Sequence, residues 1–566
     1  MRRNPSPGSL LSPPSPQGRG LKTIVDDGPL PWGEGWPAAG AFISRSGPGE
    51  GLLPKNLNTR SVLEVNFGIR TKPMFRITKS LLTVFLAAAL LLAPGCVVGP
   101  NFKKPAPPDV GGYAPSPISS TSSTPNVAGG AAQRLVEGKD IPGEWWKVFH
   151  SEALDELIER ALKANPDLKS AQAALLVARE NVLAQRGYYY PSVTGSFTAT
   201  RARTAADLSP ALNANIQNYS LYTPQVSVSF VPDVFGLNRR TVESLAAQAQ
   251  QARFALAATH ITLSSNVAAG AIQEASLRGQ IDATQELIKI NTDMLKILKQ
   301  QYTSGYAGQL DVAAQESQLA QIAATLPPLL KQLAQQRDAL AAMSGGFPNQ
   351  DLAEKFELSN LQLPQELPLS LPSKLVEQRP DVRQAEENLH AASAQIGIAI
   401  ANRLPSIALT ADGGSAPTAI SKMFSGGNGF WDLTAGITQP IFDGGTLRHR
   451  ERAAKAAFTQ AAEQYRSTVL TAFQNVADTL HALEQDADEL KAASAAADAA
   501  KVTLDLTTAQ VRAGYAGYLA LLSSEQAYQQ AVINLVQARA NRYADTAALF
   551  QALGGGCWNR SDIPKS

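Results

Sequence analysis

The sequence predicts a mainly α fold with membrane β, duplicated within the chain, because three patterns coincide. Two halves repeat the same residues in the same order. Each half holds a proline-free stretch long enough for a helix of roughly 100 Å and places two stretches of alternating polar and apolar residues before it. Beyond the N-terminal region no apolar run reaches spanning-helix length, so a membrane crossing must use strands.

Residues 1–73 carry eleven prolines and eleven glycines with no sustained apolar period. They cannot bury enough surface to offset chain entropy, and read as a non-native start or a disordered N-terminal extension. Residues 74–95 read as a lipoprotein signal peptide. Arg76 and Lys79 give a positive start, Leu81 to Ala93 is an apolar core too short to span a bilayer, and Ala93-Pro94-Gly95 puts small residues before Cys96. The expected modification is diacylglycerol on the Cys96 thiol with an N-acyl chain, and no other cofactor. Val97, not Asp, follows the cysteine, which by the general lipoprotein sorting rule sends the mature chain to the outer membrane. Residues 96–144 then form a lipidated tether and equatorial segment.

The first repeat is expected at 145–346, a linker at 347–371, the second repeat at 372–555 and a tail at 556–566. Asn165-Pro166-Asp167-Leu168 returns as Arg379-Pro380-Asp381-Val382, and Pro191-Ser192-Val193 as Pro405-Ser406-Ile407, both at a separation of 214. Gly305-Tyr306-Ala307-Gly308 returns as Gly514-Tyr515-Ala516-Gly517 at 209, followed by Glu316 and Glu525. Internal duplication governs any fold assignment.

Each copy should open with a helix, from Pro166 to about Gln185 and from Pro380 to about Asn402, since proline suits the first helical position. Alternation then predicts strands at 193–200, 226–230, 407–411 and 431–438. Leu237 to Ser304 and Thr446 to Ala513 lack proline. Val469, Val476, Leu483, Leu490, Ala497, Leu504 and Val511 form a heptad stripe; Leu256, Leu263, Gly270 and Leu277 form another, which resumes at Ile281, Ile288, Leu295 and Tyr302 after a four-residue step. Such stripes pack helices side by side as a coiled coil. Shorter return helices follow at Leu310–Met343 and Leu519–Leu553, and Pro327-Pro328 should interrupt or kink the first.

Composition narrows the function classes. Net charge is +2 with 17% charged residues, and no basic tract indicates a nucleic-acid partner. Cys96 and Cys557 are the two cysteines, too few for a disulfide framework. His150, Glu152 and Asp155 are badly spaced for a shared metal, His260 shares the register of Val469, and His390, His449 and His481 read as solvated. No Gly-Lys-Ser phosphate loop occurs. The expectation is therefore no enzyme. Beyond the signal the methionines are Met294, Met343 and Met423, which gives no metal relay.

The start Cys96-Val97-Val98-Gly99-Pro100-Asn101-Phe102, the paired Pro-Asp helix openings, Gln439-Pro440-Ile441-Phe442-Asp443-Gly444-Gly445 and the twin Gly-Tyr-Ala-Gly turns together resemble the TolC-like outer membrane efflux proteins, in particular their OprM/NodT lipoprotein branch. The resemblance covers almost all of Cys96 to Gly556. It implies a homotrimer in which each protomer gives four strands to one twelve-stranded β-barrel, continued by a long periplasmic α-helical barrel. Independently, four strands cannot close, since such barrels need about eight or more and open edges are excluded from lipid.

The resemblance further implies a passive channel for small molecules, docking on a periplasmic adaptor linked to an inner-membrane RND pump. The docking tip would be Gly305, Tyr306, Ala307 and Gly308 with Gly514, Tyr515, Ala516 and Gly517. Asp311 matches the family's acidic aperture position, while the second copy has Ala520 and Ser523 where further carboxylates would stand. Asp311 also reads as a helix N-terminal charge, and Arg512 as its partner or as a solvated side chain. The competing readings are an exit duct for type I protein secretion and a lipid-anchored coiled-coil scaffold.

Overall fold

The computed structural model describes residues 97–116, 118–203 and 218–560. Cys96, the signal segment, everything before it and the last six residues lie outside the described residues. The strands are β1 (Arg134–Glu137), β2 (Ser192–Arg203), β3 (Asn218–Phe230), β4 (Glu366–Leu369), β5 (Ser406–Ser415) and β6 (Gly429–Thr438). The α-helices are α1 (Glu152–Ala164), α2 (Pro166–Arg186), α3 (Leu237–Thr303), α4 (Gln309–Met343), α5 (Pro372–Gln378), α6 (Pro380–Ala401), α7 (Thr446–Arg512) and α8 (Tyr518–Ala552). The pattern helix, two strands, long helix, return helix occurs twice.

Capping explains where these helices begin. Asn165 Oδ1 accepts the amides of Asp167 at 2.8 Å and Leu168 at 3.1 Å, and Pro166 takes the first helical position. The second copy replaces this cap with Arg379, whose guanidinium bonds the Asp381 carboxylate and, at 2.8 Å, the Ala552 carbonyl. Both long helices open on a left-handed glycine, Gly236 and Gly445, behind an aspartate that accepts first-turn amides. Asp233 receives the amides of Asn238 and Arg239; Asp443 receives those of Gly445 and Leu447.

With 67 residues each, α3 and α7 extend roughly 100 Å. On α7 the expected stripe is buried from Val469 to Leu504. On α3 the register differs from expectation. The heptad continues without a step through Leu277, Thr284, Asn291 and Leu298, all buried, whereas Ile288 and Leu295 are half-buried and Tyr302 is exposed. Two polar side chains occupy stripe positions there because their bonds are met within the bundle: Thr284 Oγ1 donates to the Gln280 carbonyl and Asn291 Nδ2 to that of Leu287. The prolines do not interrupt α4, which runs as one helix across them. They withhold two amide donors, from the carbonyls of Ala323 and Ala324.

The strands are longer than alternation indicated, and β2, β3, β5 and β6 form one antiparallel sheet in that order. Register sorts its residues by face. Val193 lies opposite Val228, Val228 opposite Ala411 and Ala411 opposite Leu433, while Val226, Gly413 and Trp431 align in the next row. The other face aligns Thr194, Ser227, Asp412 and Asp432. In these rows one face is apolar and the other polar across all four strands, while farther along β2 and β3 Arg201 and Ser220 share the apolar face. Trp431 and Leu433 are 82% and 76% exposed in the single chain, and among the described residues no strand pairs with the outer edges of β2 and β6.

Around the middle of the long helices sits the principal core. Trp145 stacks on Phe550 with centroids 5.4 Å apart, beside Trp146, Phe149 and Tyr543. The short parallel pair β1–β4 lies in this equatorial layer. Arg542 is fully buried there and donates to the carbonyls of Gly129 and Ala131, both at 2.9 Å. Glu274, also fully buried, is bonded by Arg278 at 2.7 Å and Arg337 at 2.8 Å. Glu274 Oε1 and the terminal nitrogens of Arg542 thus have partners, while Glu274 Oε2 and Arg542 Nε are buried without a hydrogen bond.

Candidate functional site

The two Gly-Tyr-Ala-Gly turns adopt nearly the same geometry. Gly305 has φ +79° and Gly514 +77°, values that favour glycine. The following tyrosine amide closes each helix end, Tyr306 onto the Gln301 carbonyl and Tyr515 onto that of Gln510, both at 2.8 Å. Tyr306 and Tyr515 are each 87% exposed, and Leu310 and Leu519 repeat that exposure one turn on. In the sequence the two leucines stand as helix starts, and the 209-residue offset that pairs them is the signal that joins them to the tip.

Asp311 accepts the Gly308 amide at 3.1 Å, so its carboxylate closes the first turn of α4. Ala520 stands at the matching place in the second copy and offers no such acceptor. Arg512 is exposed, and it forms no ion pair with Asp311. The two candidate aperture residues are thus not brought together within one chain.

Beneath the turns Leu298, Leu504, Tyr518 and Leu521 form a buried cluster. Tyr518 donates its hydroxyl to Gln315, whose amide in turn donates to Asn291 Oδ1 at 3.0 Å and to the Asn291 carbonyl at 3.1 Å. Glu525 is 2% exposed, with neither carboxylate oxygen bonded. Burial pushes its pKa up to about 7. Its repeat mate Glu316 is exposed and paired with Lys299 at 2.6 Å, so the copies diverge at the tip interior.

At the other end, the segment after Cys96 is latched beneath the sheet. Val98 donates its amide to the Phe235 carbonyl, and buried Arg240 donates to the carbonyls of Val98 at 3.0 Å and Gly99 at 3.2 Å and to Asn101 Oδ1 at 2.9 Å. Phe102 stacks on His390, centroids 4.4 Å apart. His390, expected to be solvated, instead sits between Glu387 and Glu243, at 3.3 and 3.2 Å, and these carboxylates, Glu387 foremost, raise its pKa. Glu243 and Phe102 are far away in sequence, which is why local pattern missed the contact. His260, whose register with Val469 suits a packing or a lumen-facing position, is buried. Among the described residues no group of His, Cys, Asp and Glu is arranged to hold a metal ion.

The architecture is thus a four-stranded sheet continued into two helices of 67 residues. A family model described as outer membrane efflux protein matches residues 157–346 and 371–555. The chain belongs to this family. The toluene efflux pump outer membrane protein TtgF of Pseudomonas putida is 31% identical over 491 residues, 85% of this chain and 98% of the relative. Among solved structures, the outer-membrane channel OprN superposes with TM-score 0.72 at 25% identity, covering 82% of this chain and 100% of that one. The open-state outer membrane channel MtrE of Neisseria gonorrhoeae gives 0.69 at 26% identity, covering 83% and 100%. Outer membrane efflux proteins are ducts, so the features to explain here are a pore, its ends and its attachment.

Proposed function

We propose that this protein is the outer membrane channel of a tripartite efflux pump, passively conducting small molecules that an inner-membrane RND transporter expels through a periplasmic adaptor. The observation that carries it is the sheet: an apolar face for lipid and a polar face for a water-filled lumen, on strands that run directly into α3 and α7. No step of bond chemistry is assigned, and the protein is not an enzyme on this reading. The structure's open edges require other copies. Within the sheet β2 and β6 run in opposite directions, so β6 of one copy can continue antiparallel to β2 of the next, and three copies close a barrel of twelve strands.

The tip turns 305–308 and 514–517 are the adaptor-docking surface, each offering an exposed tyrosine and leucine over glycines that keep the backbone accessible. Asp311 and Arg512 would form an aperture contact only between copies. Attachment is by the barrel, with lipid on Cys96 as an accessory anchor. What supports this reading is the latch: Val97 lies against Gly236 at the base of the sheet, and Val98 is bonded to Phe235 there. Relatives are named for toluene and antibiotic efflux, which makes small organic solvents and antibiotics the cargo to test first. Deleting the gene in a strain without its other efflux channels should raise sensitivity to such compounds; unchanged sensitivity would remove the efflux reading.

A further inference from the structure

Seven arginines face four acids in the segments that join the sheet to the helices, residues 181–191, 231–243, 401–405 and 439–452. All four acids are engaged. Asp233 holds Arg239, Glu243 holds Arg240, Glu451 holds Arg403, and Asp443 caps α7. Arg186, Arg448, Arg450 and Arg452 remain, all exposed and with no ion-pair partner among the described residues. The excess positive charge of this zone therefore sits on the end of α2 and the first two turns of α7.

Beside these arginines stand side chains that water does not suit. Ile441 and Phe442, between β6 and α7, are 96% and 92% exposed, and Tyr188 and Tyr190, between α2 and β2, are exposed as well. β2 begins and β6 ends at the same end of the sheet, because Ser192 pairs Ser229 and Thr438 pairs Ser406. Apolar and aromatic residues at that level mark the boundary between hydrocarbon and headgroups. Arg448 to Arg452 lie two to six residues into α7, a depth of roughly 3 to 9 Å. A headgroup layer is of that thickness.

We propose that this zone binds the anionic phospholipid headgroups of the leaflet facing the periplasm, with Ile441 and Phe442 seated at the acyl boundary and Arg448 and Arg452, one turn apart on the same flank of α7, on the phosphates. The inference rests on the membrane-barrel reading above. A second copy is the other occupant to consider, since α7 and α2 follow the two open edges of the sheet. Charge argues against it. The matching end of α2 and its exit, residues 180–191, carries Glu180 and Arg186 and so no net charge, too little to neutralise the α7 cluster.

The test places the full-length protein in bilayers and measures, by spin resonance, the association of spin-labelled phosphatidylglycerol and phosphatidylcholine. The wild type should favour phosphatidylglycerol by about fivefold or more, with the preference weakened by 0.5 M salt as for any screened contact with ~1 kcal/mol per basic residue. The double variant Arg448→Gln, Arg452→Gln should approach parity while still migrating as an unboiled trimer, and Arg450→Gln, on the other flank of α7, should keep the preference. No preference in the wild type, or a full preference in the double variant, overturns the proposal. So does loss of trimer together with preference, which would assign the cluster to the copy contact. Failure of the wild type to enter the bilayer overturns the barrel reading itself, and the lipid belt with it.

Discussion

Tyr518 donates its hydroxyl to Oε1 of Gln315, tying the return helix of the second repeat to that of the first directly beneath the tip. Both residues are buried. Removing the donor leaves a buried amide oxygen without a partner, at a cost of about 1–3 kcal/mol. Tyr518→Phe should therefore speed hydrogen exchange across both tips, at 301–318 and 510–528, and leave the equatorial core unchanged. Exchange confined to one tip would mean that the bond does not couple them.

Glu525 makes the packing below the tip sensitive to pH. Its carboxyl is raised to about 7 in the packed state against 4.5 ordinarily, so the packed state holds its proton where the open state has lost it. Stability is complete below pH 4.5, falls as pH rises toward 7, and is constant above that. Glu525→Gln keeps the shape without the charge. In this variant, protection of the tip amides, corrected for intrinsic exchange, should be independent of pH between 5 and 8 and exceed the wild type's at pH 8.

Gly99 has φ +91°, and a Cβ there would stand 2.4 Å from the Gly397 Cα. Backbone meets backbone, so no side chain can move aside. Gly99→Ala should dislodge the 97–102 strap at a cost of order 1–3 kcal/mol, seen as faster proteolysis before Asn101 with trimer migration intact. An equally resistant strap would show that Arg240 holds it without the close approach.

Much of this architecture was legible because its causes are local. Proline-free heptads gave α3 and α7 to within a residue or two, and alternation located all four strands of the sheet, although short. Strand length was missed because β3 holds Pro224 and the run 218–225 does not alternate; pairing with β2 supplies what local pattern lacks. The α3 register was missed for a related reason. Thr284 and Asn291 are polar by composition, yet buried because α3 and α4 satisfy them. The tip interior hid in the same way: Glu316 and Glu525 are matched by repeat, and one faces Lys299 in solvent while the other is enclosed.

The two faces of the sheet give the sharpest test of what surrounds it. Leu433 and Thr434 are neighbours in the middle of β6, and the register puts Leu433 beside Ala411 on the apolar face and Thr434 beside Thr410 on the polar one. If hydrocarbon lies against the apolar face, Leu433→Arg places a charge near the bilayer midplane and should cost about 2–4 kcal/mol, read as lost trimer on unboiled gels and a lower midpoint in denaturant. Thr434→Arg, one residue on, should assemble normally, because its guanidinium enters water. It adds a positive charge to each copy's lining, so single-channel recordings should show reduced preference for cations. Equal damage from both substitutions would place protein on each face and sink the barrel; reversed outcomes would turn the sheet inside out.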